Sequence, residues 1–275
     1  SYFRTMGEEK AQNQYRGRLA PTPSGYLHEG NIKTFKVSMQ RAKTANGKLF
    51  LRMDDLDSAR CKHDYFDACV EDLRCAGLCW DTLADMQDAA GIYRQSYRMQ
   101  FYEEALQDLI NTGLIYPCNR TRSEIRKAGI KSHSGEEYLF PEKWRGRYDY
   151  QTGDHNPIHQ NWRLATNWCE RITFRDGRLG ELNFQIGKDF ADFLVWRKDG
   201  IPAYEFATVV DDHLMEITEI VRGEDLLISS ARQCLLFDAL NWPRPEFFHC
   251  SLSVDKDGTK LSKSSRLIPR LFPSC

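Results

Sequence analysis

No uninterrupted apolar run in this chain approaches the roughly 20 residues that a membrane-spanning helix needs. Its opening stretch, SYFRTMGEEKAQNQ, contains no apolar segment of the kind that marks a secretory signal. The chain also lacks an excess of charge of either sign. With 38 Lys and Arg against 39 Asp and Glu, the net is -1, so any nucleic acid must be met by local patches rather than by bulk charge. Internal repeats and low-complexity segments are missing too. Nine cysteines suggest disulfides, but the number is odd, the spacing irregular and no export signal accompanies them. Reduced thiols in a cytoplasmic protein are therefore expected. What is present is 275 residues with 41% hydrophobic content, enough for one large domain or two modest ones.

The hydrophobic pattern gives the order of elements. Arg16 to Ala20 reads as a short strand running into the turn-rich Pro21-Thr22-Pro23-Ser24-Gly25. Ile32, Phe35, Met39 and Ala42 recur at helical spacing, and Asn46-Gly47 ends that helix. KLFLRM, from Lys48 to Met53, is a buried-strand run followed by Asp54-Asp55-Leu56-Asp57. Strand, loop, helix, strand is the start of a parallel α/β unit. Further helices are expected around Phe66, Val70 and Leu73, and through Met99, Tyr102, Leu106, Leu109 and Ile110. Ser96 is the expected N-cap of the latter and Gly113 lies past its end. Between about 114 and 191 the texture changes to Gly, Arg, Trp and His, with basic clusters at Arg120, Arg122, Arg126, Lys127 and Lys131 and at Lys143, Arg145 and Arg147. The pattern predicts an α/β fold with a Rossmann-like parallel sheet from 15–113 and 192–260. A subdomain is inserted at 114–191, a disordered tail covers 1–14, and a loop and tail cover 261–275.

Two constellations carry chemistry. PTPSGYLHEGN places His28, Gly30 and Asn31 where a strand gives way to a helix. A helix N-terminus offers free N–H groups and a positive dipole end to phosphate, and Gly30 lets the backbone approach closely. Taken alone, the same letters also describe a turn with a surface histidine. Far along the chain, Lys260-Leu261-Ser262-Lys263-Ser264 follows Asp257-Gly258-Thr259. Its lysines suit the charge on a departing pyrophosphate, although such a pentamer alone is commonly solvated surface.

Together, and in this order, the two motifs resemble the ATP-handling pair of class I aminoacyl-tRNA synthetases. RGRLAPTPSGYLHEGN, LFLRMDDLD, AYEFATVVDDHLMEITEIVRGEDLL, ARQCLLFDALNW and DGTKLSKS narrow the resemblance to the glutamyl-tRNA synthetase family, and most of all to its short queuosine-acting branch. The likeness covers about Arg16 to Ser264. It implies ATP with Mg²⁺, and L-glutamate held by Arg18, the segment Leu19, Ala20, Pro21 and Thr22, and by Tyr204 and Arg222. It further implies His28, Gly30, Asn31 and Lys263 at ATP, with His28, Lys260 and Lys263 offsetting the charge of the reaction. The implied partner is tRNA, specifically tRNA(Asp) carrying queuosine in its anticodon, acted on by a monomer with no membrane association. Local sequence alone leaves Arg18 and Arg222 open as partners of aspartates, and Tyr204 as a core aromatic.

Two positions depart from the family. Asp54 stands where the family has a glutamate holding the substrate's α-amino group, which shortens the reach by one methylene. Of the Cys-x-Cys, Tyr and Cys zinc ligands found in queuosine-acting relatives, Cys118 and Tyr138 remain, while Arg120 and Glu142 occupy the other places. One thiolate and one phenol do not make a structural zinc site, so no metal is expected and Cys118 reads as a core residue. Eleven residues follow Ser264 (275 minus 264), whereas an anticodon-reading domain needs about 50 or more. The expectation is therefore glutamate transfer to queuosine. The alternatives are the core of an enzyme charging the 3′ end of tRNA(Glu), a non-catalytic glutamate- or nucleotide-binding paralogue, and a nucleotidyltransferase.

Overall fold

The computed structural model describes residues 14–83, 88, 91–146, 156–252 and 269–273. All of the expected tail except Gln14, and the whole motif at 260–264 with Lys260 and Lys263, lie outside the described residues. In chain order the first half contains β1 (Arg16–Leu19), α1 (Glu29–Thr44), β2 (Lys48–Met53), α2 (His63–Cys75), β3 (Tyr93–Arg94), α3 (Met99–Asn111), β4 (Ile115–Pro117) and α4 (Arg122–Ala128). The second contains β5 (Trp162–Leu164), β6 (Arg171–Asp176), β7 (Gly180–Gln185), β8 (Phe193–Trp196), α5 (Tyr204–Leu214), β9 (Glu219–Gly223), α6 (Leu227–Ala239) and β10 (Glu246–Cys250).

The chain divides into two compact units. One is made of Ser1–Arg98, Leu214–Leu226 and Pro245–Cys275, the other of Met99–His213 and Leu227–Arg244. This division differs from the one drawn at 113 and 192 by texture, because α3, β8, α5 and α6 group with the segment between those points.

In the first unit β1, β2 and β3 are parallel neighbours in that order, with Arg18 opposite Phe50 and Arg52 opposite Tyr93. Parallel strands need a crossover, which α1 supplies between β1 and β2. β9 and β10 form a second parallel pair. β9 begins beside β1, where the Thr218 N–H donates to the Arg16 carbonyl at 2.9 Å. The chain thus runs outward from β1 to β2 and β3 on one side, and to β9 and β10 on the other. That reversal is the topological switch point of a doubly wound sheet, and its carboxyl edge is where such folds hold ligands. One apolar cluster joins Leu19, Leu49, Leu51 and Met53 of the strands to Ile32 and Ala42 of α1 and Val70 and Leu73 of α2. Each large side chain so buried is worth about 1.5–3 kcal/mol. α1 stops where Asn46 takes a left-handed φ of 49°. Gly47 follows because a Cβ there would lie 2.4 Å from the Tyr15 carbonyl oxygen, which instead accepts the Lys48 N–H at 2.8 Å.

The second unit holds the antiparallel sheet β4-β5-β8 and the β6-β7 hairpin. Its α3 runs Met99–Asn111 and ends before Gly113, whose φ of 72° suits glycine. Ser96 is not its cap. The residue sits in a 3-10 turn, Gln95–Tyr97, where its N–H and hydroxyl both donate to the Asp55 carboxylate, at 2.9 and 2.8 Å. Among the described cysteines, Cys61, Cys69, Cys79, Cys118, Cys169, Cys234 and Cys250 form no disulfide, whereas Cys75 is disulfide-bonded, so the expectation of reduced thiols does not hold at that position.

Candidate active site

The carboxyl edge of the first unit gathers most of the residues singled out above. Leu19 closes β1, and Ala20, Pro21 and Thr22 continue from it. The Pro21 carbonyl accepts the N–H of Asp54 at 3.0 Å, which ties this loop to the residue just past β2. Arg18 is buried on β1, and its Nη1 donates to the Val221 carbonyl of β9 at 3.5 Å. Arg222, the next residue, is buried as well. Two guanidinium groups, those of Arg18 and Arg222, are thus held inside one unit, donors of the kind matched to carboxylates and phosphates.

His28 is the N-cap of α1, with Glu29, Gly30 and Asn31 as its first three residues. Its Nδ1 accepts the Asn31 N–H at 3.3 Å, and Asn31 Oδ1 accepts the His28 N–H at 3.1 Å. This reciprocal box satisfies two backbone donors and fixes the imidazole. A ring nitrogen that accepts is unprotonated, so the neutral ring carries its proton on Nε2. The site therefore has an N–H donor beside a positive helix end, suited to a phosphate oxygen.

Sequence reasoning passed over Arg52. It has no exposed surface, and its Nε donates to Asp54 Oδ1 at 2.7 Å. A charged residue inside an otherwise apolar strand run was the available signal. Gly223, ending β9, was also passed over. A Cβ there would lie 2.5 Å from an Asp225 carboxylate oxygen, so that carboxylate would have to move aside to admit a side chain.

Tyr204 opens α5 in the second unit and is 46% exposed, an accessible phenol rather than a core aromatic. The basic clusters of that unit are partly spent on the fold. Arg145 donates to both carboxylate oxygens of buried Asp192, at 2.6 Å each, and to Glu142 at 3.1 Å. Asp192 also accepts from the Tyr116 hydroxyl at 2.6 Å. Burial, together with this hydrogen bond and charge, pushes the Tyr116 phenol well above its ordinary range. Arg120 donates to Glu124 at 2.9 Å and lies 4.6 Å over the Trp144 ring. Arg122, Arg126, Lys127, Lys131 and Lys143 remain exposed, while Arg147 lies outside the described residues. Cys118 packs with Tyr116, Ile125 and Phe140, and Tyr138 lies under the Lys131 ammonium. Glu142 and Arg120 are engaged as described, and no group of three or more possible His, Cys, Asp or Glu metal ligands occurs among the described residues. Among the described residues no helix is long and apolar enough to cross a membrane.

A parallel sheet that reverses order at β1 and β9, with a histidine-capped helix after β1 and buried guanidinium groups on its strands, has the architecture of a class I synthetase α/β domain. The chain belongs to the class I tRNA synthetases (E and Q), whose catalytic domain matches residues 14–269. It is 38% identical over 257 residues to a glutamyl-Q tRNA(Asp) synthetase of Symbiobacterium thermophilum, spanning 90% of this chain and 77% of that one. It is 37% identical over 251 residues to glutamate–tRNA ligase 2 of Syntrophus aciditrophicus, covering 90% of this chain and 51% of the relative. Against several such ligases the chain spans about half their length. The solved glutamate-tRNA synthetase of Elizabethkingia anophelis superimposes with a TM-score of 0.74 at 27% identity, over 91% of this chain and 53% of that one.

Proposed function

We propose that this chain activates L-glutamate with ATP and transfers the glutamyl group to queuosine in the anticodon of tRNA(Asp). The observation that supports the activation half is the pair of buried guanidinium groups, Arg18 on β1 and Arg222 on β9, in a sheet whose first crossover helix is capped by His28, in a family of tRNA synthetases. A glutamate α-carboxylate oxygen attacks the α-phosphorus of ATP, the bond to the bridging oxygen breaks, and pyrophosphate leaves. A hydroxyl of the RNA then attacks the acyl carbon, and AMP departs with the bonding pair.

Protein groups act here by position and charge. Arg18 and Arg222 offer bidentate donors to carboxylate, Thr22 and its loop shape the amino-acid end, and Asp54 meets the α-ammonium. Tyr204 donates from its phenol. The Nε2–H of His28 and the first N–H groups of α1 meet phosphate oxygens. Lys260 and Lys263 take the charge that builds on pyrophosphate. Mg²⁺ carried on ATP supplies further neutralisation of phosphate charge, and no protein metal is part of the account.

The queuosine acceptor is supported by the wording of MDDLD and ITEIVRGEDLL and by the likeness to glutamyl-Q synthetases. The exposed residues Arg122, Arg126, Lys127, Lys131 and Lys143 offer phosphate contacts for the RNA. A second reading, charging the 3′ end of tRNA(Glu), is favoured by nearly equal identity to glutamate–tRNA ligases. Labelled glutamate offered with tRNA(Asp) carrying queuosine, tRNA(Asp) carrying guanosine, and tRNA(Glu) separates the two. Label on the first alone is expected. Label on tRNA(Glu), or equal label on both forms of tRNA(Asp), overturns the queuosine assignment.

A further inference from the structure

Arg52 is the penultimate residue of β2, a strand buried from its second residue onward, and is flanked by Leu51 and Met53. A guanidinium is costly to place there unless a carboxylate compensates it. Asp54 is two residues on, so on extended chain both side chains leave the same face. Nε donates to Oδ1 at 2.7 Å, and the pair is almost wholly withdrawn from water. Arg18 shares that face, since its register partner Phe50 precedes Arg52 by two residues. Nη1 of Arg52 also lies 3.9 Å from the sulfur of buried Met215, ahead of β9. Asp54 is therefore held twice, at its backbone N–H by the Pro21 carbonyl and at its carboxylate by Arg52.

We infer that Arg52 is a positioning residue for recognition of the substrate's α-ammonium. It holds the Asp54 carboxylate at the setting from which that short side chain meets the ammonium. This rests on the proposed function, in which Asp54 belongs to the glutamate pocket. A carboxylate that gives one lone pair to a guanidinium keeps others for a second cation. Its direction is set by the planar Nε–H of Arg52, a geometry that lysine does not reproduce.

The test compares glutamate with glutarate, which keeps both carboxylates and lacks the ammonium. In glutamate-dependent exchange of pyrophosphate into ATP, Arg52→Met raises the KM for glutamate about tenfold or more. The KM for ATP and the Ki of glutarate as a competitor stay within about twofold. Arg52→Lys recovers part of the loss. The pair Arg52→Met with Asp54→Asn removes both buried charges together and preserves the fold, yet keeps the raised KM for glutamate. A glutarate Ki that rises in step with the glutamate KM overturns the inference, as does a double variant that returns the glutamate KM to the parent value. If Arg52→Met alone fails to fold, Arg52→Lys decides: a raised KM for glutamate with an unchanged glutarate Ki is expected, and a parent-like KM for glutamate or a glutarate Ki that rises with it overturns the inference. No exchange with glutamate in the parent chain instead overturns the proposed function and, with it, this inference.

Discussion

Replacing Glu219 with alanine should destabilise the chain strongly while leaving the chemistry untouched. Its carboxylate is 5% exposed at the start of β9 and accepts Arg41 Nε at 2.6 Å, Arg41 Nη2 at 2.7 Å and the Tyr15 hydroxyl at 2.8 Å. The cluster joins the residue before β1, the last turn of α1 and the first residue of β9. Burial, then the Glu219 hydrogen bond and charge, drives the Tyr15 phenol well above its ordinary range, and the same bond raises Arg41. Hydrogen bonds to a charged group contribute about 1.5–3 kcal/mol each. The Arg41 side chain is 35% exposed and regains water once freed. The loss in Glu219→Ala should therefore sit near the lower end of the 3–5 kcal/mol seen when a buried pair is broken, about 3 kcal/mol. Glu219→Gln, which keeps the shape and some bonds, should cost about half as much. At roughly 2–4 °C per kcal/mol for a chain of this size, the alanine variant should melt about 6–12 °C lower. Because the cluster lies at the amino ends of β1 and β9, opposite the proposed chemistry, the KM for glutamate at 20 °C should match the parent. Calorimetry with exchange kinetics measures both. An unchanged melting point, or a raised KM in fully folded protein, would refute the reasoning.

His213 stacks on Trp242 with ring centres 4.0 Å apart, and burial lowers its pKa to about 4. The unfolded chain therefore binds more protons than the folded one between about 6.5 and 4, so stability is full above 6.5 and falls as pH drops through that window. His213→Phe should flatten the acid limb of a urea-midpoint curve, and an unaltered limb would assign it to other groups. Metal analysis of the purified protein should find well under one zinc per chain, since Cys118 is packed in a core and Arg120 and Glu142 are engaged elsewhere. One zinc per chain that survives mild chelation would mean the ligands lie elsewhere.

Much of the first unit was legible because its signals are local. The apolar stripe of α1 and the KLFLRM run each depend on neighbours a few residues away, and both elements form where periodicity puts them. The HEGN tetrad was readable as the start of a helix. That Asn31 is also needed to close the cap on His28 follows only from the backbone geometry. Partners distant in sequence were not legible. Arg145 looked like part of a basic cluster, yet its charge is taken by Asp192, 47 residues on. Ser96 carried the letters of a helix cap and was captured by Asp55, 41 residues back. Arg52 and Asp54 are close in sequence, but their pairing is apparent only once both are known to leave one face of a buried strand.

The most direct test of glutamate activation is exchange of labelled pyrophosphate into ATP by the purified chain with no RNA present. Glutamate should support exchange where aspartate and glutamine do not, and Lys263→Ala should lower it steeply, since contacts to a leaving group in a dry site are worth several kcal/mol. No exchange with glutamate, or exchange undiminished in Lys263→Ala, would contradict the account.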